Sequence, residues 1–112
     1  MSTPKILRLE SCTVDLRRRR VERSGTISTL TSKEAELLSY LVERSQQIVS
    51  RDDLLRDVWG YADSVISRAP DTAVRTLRKK IETSPAKPNH ILSEYGEGYR
   101  FVPEFYLVWP GN

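Results

Sequence analysis

The spacing of apolar and polar residues changes period along this chain. Over residues 5–27 it alternates: Leu7 and Leu9, then Cys12, Val14 and Leu16, with Val21 and Ile27 continuing the pattern across Ser24-Gly25. Period two with a Ser-Gly turn signal predicts short antiparallel strands, each with one buried face. After Leu30 the period becomes helical. Ala35, Leu38, Leu41 and Val42 share one stripe, and Thr31-Ser32-Lys33-Glu34 matches a capping box, so a helix is expected over 32–45. Ile48 and Val49 lead to Ser50, which with Asp53 opens a second helix carrying Leu54, Leu55, Val58 and Trp59. Val49 and Leu54 stand at hydrophobic-staple spacing, and Gly60 closes the helix.

After a loop over 60–67, the stretch RAPDTAVRTLRKKI at 68–81 places Pro70, Val74, Leu77 and Ile81 four, three and four residues apart, on one stripe of a 3.6-residue helix. Arg75, Arg78 and Lys79 project elsewhere. Pro70 suits a first helical turn, with Ser67 or Arg68 just outside it; the start is marked but its cap is not. This third helix is expected over about 70–83. A polar linker at 84–89 holds Pro85 and Pro88, and the segments 90–94 and 98–102 flank Tyr95-Gly96-Glu97 as a hairpin. Antiparallel strands, three helices and a hairpin make an α+β winged helix-turn-helix, in which the third helix enters a DNA major groove and the hairpin, or wing, lies over the neighbouring backbone or minor groove.

Composition narrows the possibilities. With 112 residues, 38% of them apolar, the chain has room for one small domain, expected over 1–103, with 104–112 a tail of undefined role. The single Cys12 excludes an internal disulfide and a Cys-cluster zinc site and agrees with a reducing cytoplasm. No secretory signal is visible, and the apolar run at 105–110 is too short to span a bilayer. The net charge of +3 is unevenly placed: residues 68–81 carry five basic side chains and one acidic, and without them the rest would be at −1. Local basicity of this kind implies a directed anionic partner. His90 has no second ligand at metal spacing. Gly96-Glu97-Gly98 imitates a dinucleotide loop, but Phe101 takes the third glycine position. No nucleophile, base and oxyanion-donor set converges, so neither an enzyme nor a cofactor is expected. The run from Arg17 to Arg20 reads first as a solvated turn between strands and second as a partner or DNA contact.

Leu30-Thr31 with Glu34, Val49-Ser50-Arg51, Leu54-Leu55, Val58-Trp59-Gly60, Val74 with Leu77-Arg78-Lys79, and Gly98-Tyr99-Arg100-Phe101 together resemble the OmpR/PhoB-type DNA-binding domain of bacterial response regulators, in order, over about 6–102. The resemblance implies a four-stranded N-terminal sheet and sequence-specific binding of duplex DNA by a transcriptional regulator of a two-component system, often by a second copy on direct repeats. It implies phosphate contacts at Arg51, Trp59, Arg68, Arg75, Arg78 and Tyr99, base reading at Thr72 and Thr76, and a wing-tip contact at Tyr95. Long cationic side chains and an indole N–H suit phosphate oxygens, whereas short Thr side chains suit base edges or a thymine methyl. Relatives often carry Arg at the positions of Thr76 and Tyr95, so the operator sequence does not carry over.

The 60–67 loop exceeds the three or four residues that a minimal helix-turn-helix turn requires. In relatives it touches RNA polymerase, which makes Tyr61, Asp63 and Val65 candidates; a plain surface excursion is the competing account. A winged-helix module that docks an acidic protein surface through the basic helix is the alternative function, since the fold hosts both. Relatives carry an N-terminal receiver domain for which this sequence has no room, so the chain reads as an excised effector domain or the start of a differently regulated protein. The tail could cover the sheet, pair between copies or begin a truncated segment.

Overall fold

A computed structural model of the chain describes residues 6–62 and 65–103; Asp63 and the 104–112 tail lie outside them. Strands β1 (Ile6–Arg8), β2 (Thr13–Asp15), β3 (Arg20–Arg23) and β4 (Thr26–Thr29) form an antiparallel meander in sequence order. Helices α1 (Ser32–Glu43), α2 (Arg51–Asp57) and α3 (Ala69–Ile81) follow, with the two-residue strand β5 (Ile48–Val49) before α2, and the chain ends in the hairpin β6 (Ile91–Glu94) and β7 (Gly98–Phe101). This is the expected winged helix-turn-helix with its four-stranded N-terminal sheet.

The local signals act where the sequence puts them. Thr31 accepts from the Glu34 backbone N–H and Glu34 reaches back to that of Thr31, the reciprocal bonds of a capping box. Ser50 accepts from the Asp53 backbone N–H at the start of α2. Helix α3 has proline in its first turn and no side-chain cap at Arg68.

Four boundaries or faces differ from expectation. Ser24 and Gly25 both have positive φ, the backbone of a two-residue type I′ turn, and this sets Val21 opposite Ser28 and Ile27 opposite Glu22. Cross-strand partners share a face, so Ile27 lies on the outer side, 61% exposed, while Leu7, Val14 and Val21 turn inward. Helix α1 stops at Glu43, because Gln46 takes a positive φ and gives its N–H to the Phe101 carbonyl, turning the chain into β5. Helix α3 stops at Ile81 instead of reaching Thr83. Glu82 leaves it in an extended conformation and buries its carboxylate under the backbone N–H groups of Asn89, His90 and Ile91. Finally, β5 joins the hairpin as a third strand, in the order β5-β7-β6.

One core joins these parts: Val14 and Val21 from the sheet, Leu37, Leu38 and Leu41 from α1, Leu54 from α2, Val74, Leu77 and Ile81 from α3, and Ile91 and Phe101 from the hairpin. His90 is buried with both ring nitrogens occupied, Nδ1 donating to the Val102 carbonyl at 2.8 Å and Nε2 accepting from the Glu10 N–H at 3.2 Å. It ties the foot of the hairpin to the loop between β1 and β2.

Gly98 fixes how closely β7 approaches β5. Its φ is +147°, and a Cβ there would sit 1.9 Å from the Val49 carbonyl oxygen. Gly98→Ala is expected to destabilise the domain by about 3 kcal/mol, since backbone must move to relieve the clash. Urea denaturation compared with the parent chain measures this.

Candidate nucleic-acid interface

Helix α3 has one buried stripe, one exposed stripe and two flanks. Opposite the buried Pro70, Val74, Leu77 and Ile81 lie Arg68, Thr72, Arg75 and Lys79, all exposed. The side chains of Arg75 and Lys79 make no hydrogen bond or ion pair with any described residue.

The flank facing the wing carries Asp71 and Arg78. Arg51, the first residue of α2, holds the Asp71 carboxylate through Nε and Nη2 at 3.1 and 2.9 Å, and the Tyr99 hydroxyl of β7 donates to the same carboxylate at 2.5 Å. Arg78 donates to the Ile91 carbonyl through Nε and Nη2, at 3.0 and 2.8 Å, and to the Ser93 hydroxyl at 3.0 Å, with its guanidinium 5.8 Å from the Tyr99 ring centre. Asp71 and Arg78 therefore fasten the wing to the helix. Burial acts to raise the Asp71 carboxyl pKa, but the hydrogen bonds from Arg51 and Tyr99 outweigh it and hold the group below the ordinary carboxylate value. Burial and that same carboxylate push the Tyr99 phenol upward.

The flank facing α1 carries Thr76 and Lys80. Both end on Glu34, which is only 3% exposed: Thr76 donates its hydroxyl to Oε2 at 2.5 Å and Lys80 donates to Oε1 at 2.7 Å. Lys80 also donates to the Thr29 carbonyl at 2.8 Å, so it is turned from the outward stripe and tied to the end of β4. Burial favours the neutral form of Glu34, but its bonds to Lys80, Thr76 and the Thr31 N–H prevail and lower its pKa.

The other expected residues are distributed around this helix. Trp59 is half-buried on the core edge beyond α2, with the Lys33 ammonium 6.0 Å from its ring centre. Lys33 is held there by the Val58 carbonyl at 2.8 Å and by Glu36 at 3.1 Å. Tyr95 stands fully exposed at the wing tip. Tyr61 and Val65 are exposed in the long loop beside a still more exposed Ile66. Arg17 to Arg20 form an exposed turn and the first residue of β3, with Arg19 donating to the Ser32 hydroxyl at 2.5 Å.

Sequence reading missed three supports of this surface. Asp71 is visible as an acidic residue suited to a helix N-terminus, but its partners lie 20 and 28 residues away. The reach of Glu34 to Thr76 and Lys80 crosses 42 and 46 residues. Arg23 donates to the carbonyls of Lys79, Lys80 and Glu82, closing the α3 C-terminus, where a cation opposes the negative end of the helix dipole.

Comparison with known proteins agrees with this geometry. Residues 25–101 match the family described as "Transcriptional regulatory protein, C terminal". The chain belongs to the OmpR/PhoB-type DNA-binding domains. It is 38% identical over 103 residues to the probable transcriptional regulator ycf27 of Guillardia theta, covering 90% of this chain and 41% of that protein. To the transcriptional regulatory protein KdpE of Mycobacterium tuberculosis it is 35% identical over 96 residues, covering 86% and 42%. The chain thus spans about two fifths of the length of these relatives. The Klebsiella pneumoniae RstA DNA-binding domain, solved in complex with the RstA box, superposes with a TM-score of 0.72 at 30% identity, covering 89% of this chain and 99% of that one. OmpR/PhoB-type membership makes DNA binding in transcription regulation the function of this domain, and a module that binds protein alone is not favoured. Among the described residues no helix is long and apolar enough to cross a membrane.

The Asp71 joint has a pH signature. A carboxyl whose folded pKa is depressed contributes stability that is complete above its unfolded value, near 4, and is lost as pH falls through the lower folded value. Asp71→Asn is expected to lose about 1–2 kcal/mol at pH 7. The parent's advantage over the variant should shrink as pH drops below about 4, as urea denaturation at pH 7 and pH 3.5 would measure.

Proposed function

We propose that the domain binds duplex DNA sequence-specifically, with α3 in the major groove and the Tyr95 wing tip against the adjacent minor groove. The observation that carries this is the outward stripe of Arg68, Thr72, Arg75 and Lys79, whose side chains at 75 and 79 are unpaired among the described residues, on a helix to which Arg78 and Asp71 bolt the wing. The likeness to RstA, whose domain was solved on its own DNA box, supports the same use of the fold.

In this reading Arg68 and Arg75 neutralise phosphates directly, and Trp59 offers its indole N–H. Arg51 and Arg78 present to phosphate the guanidinium edge not used on Asp71 or Ile91, since a guanidinium has five donors in a fixed fork. Tyr99 has spent its one hydroxyl proton on Asp71, so donation to a phosphate requires that bond to exchange. Thr72 and Thr76 read base edges. A second copy on a direct repeat, action in the cytoplasm and an RNA polymerase contact through the exposed Tyr61 and Val65 complete the proposal, with Asp63 of the same loop as a further candidate.

Binding titrations at several salt concentrations test the assignment. Arg75→Ala should weaken binding to operator and random duplex alike and lower the salt slope by about one unit, whereas Thr72→Ala should mainly change which sequence is preferred. An Arg75 variant with an unchanged slope contradicts the phosphate role.

The loop is tested separately. Tyr61→Ala should reduce transcription activation while operator affinity stays intact; equal losses of both contradict the polymerase contact.

A further inference from the structure

We propose that Glu34 fixes the direction of the Thr76 hydroxyl proton and thereby makes Thr76 an acceptor-only reader, selecting an amino base, adenine or cytosine, over a keto base at the position it faces. This rests on the proposal that Thr76 meets a base edge and adds the chemistry that the edge must have.

A threonine hydroxyl has one proton and two lone pairs, and an ionised carboxylate has no proton to give. In the Thr76–Glu34 contact, 2.5 Å long, the threonine must therefore be the donor. The Ala73 carbonyl also lies within reach of the same hydroxyl, at 3.1 Å, but the shorter bond to a charged, nearly buried carboxylate takes the proton. Burial works against ionisation of Glu34, while Lys80, Thr76 and the Thr31 N–H favour it and win. Thr76 is partly exposed on the edge of α3, so what remains for a partner outside is the pair of oxygen lone pairs. In the major groove the groups that can donate to them are the adenine N6 and cytosine N4 amino groups, whereas guanine O6 and thymine O4 would set acceptor against acceptor.

Glu34 is a positioning residue here, and its two oxygens divide the work: Oε1 serves the Thr31 N–H and Lys80, and Oε2 serves Thr76 alone. Glu34→Gln can keep the first set on its carbonyl oxygen and turn an amide N–H toward the Thr76 oxygen. That reverses the bond and frees the hydroxyl proton to point outward or to the Ala73 carbonyl. With the proton outward the acceptor-only state is lost; with it on the Ala73 carbonyl one lone pair still faces out, so the variant mixes donor and acceptor forms.

Selection of bound fragments from a random duplex pool, performed on the 112-residue chain and its variants, tests this. The parent chain should favour an amino base over a keto base at one position by about fivefold. Thr76→Ser, which keeps the hydroxyl, should retain that preference. Thr76→Val, which keeps the shape and removes the hydroxyl, should abolish it at that position only, and Glu34→Gln should weaken or reverse it. A parent preference for a keto base at the position that Thr76→Val disturbs overturns the proposal, as does a Glu34→Gln variant that binds with the amino preference intact. A Thr76→Val profile identical to the parent's removes Thr76 from the base-reading set, and with it this proposal. Absence of any enriched sequence contradicts specific DNA binding itself. The comparison of Thr76→Ser with Thr76→Val decides the hydroxyl's role even if Glu34→Gln fails to fold.

Discussion

The Asp71 carboxylate is the joint on which the working surface depends. It receives Arg51 from the start of α2 and Tyr99 from the wing while sitting in the first turn of α3, so one side chain fixes the relative placement of three elements around the outward stripe. Glu34 plays the matching part on the other flank, binding α3 to the start of α1 through Thr76 and Lys80. Between these two acidic anchors the helix has little freedom to roll. A roll would break the bonds of Asp71 and Thr76 and turn Arg75 away from its outward position.

The anchors also decide how much positive charge the helix offers. Its sequence contains four basic residues, with Arg68 just before it, yet Lys80 is held by Glu34 and β4, and Arg78 by the Ile91 carbonyl. The Arg75 and Lys79 side chains remain without a partner among the described residues. Counterion release scales with the charges that reach phosphate, so a count of basic residues overstates the electrostatic part of affinity. Arg78 shows the other use of a basic residue: it orients the wing, whose Tyr95 tip stands free of the rest of the domain.

Much of the fold is legible in the sequence because its signals are local. The capping box at Thr31 and Glu34, the cap at Ser50, the proline in the first turn of α3 and the glycine turn of the wing each involve residues within about four positions of one another, and the elements begin or reverse where these say. What was not legible is set by partners far along the chain. Ile27 looks like a core residue until the Ser24-Gly25 turn fixes the register that points it outward. Ile48 and Val49 form a strand only because β7 arrives beside them, and Glu82 ends α3 early because the hairpin's foot needs an acceptor. The candidate site divides in the same way: Arg75 and Lys79 are evident from helical spacing, whereas Asp71 and Glu34, which hold them in place, acquire their roles through bonds that span 20 to 46 residues.

In the proposed complex the α3 stripe and the wing tip form one surface for DNA, with the N-terminal sheet behind it. Mapping amide, arginine Nε and tryptophan indole NMR shifts while a selected duplex is added tests this directly. Perturbations are expected to concentrate at Arg68, Thr72, Arg75 and Lys79, at residues 94–97 and at the Trp59 indole. Perturbations centred on the outer face of β1–β4, with the Arg75 signals unmoved, would contradict it.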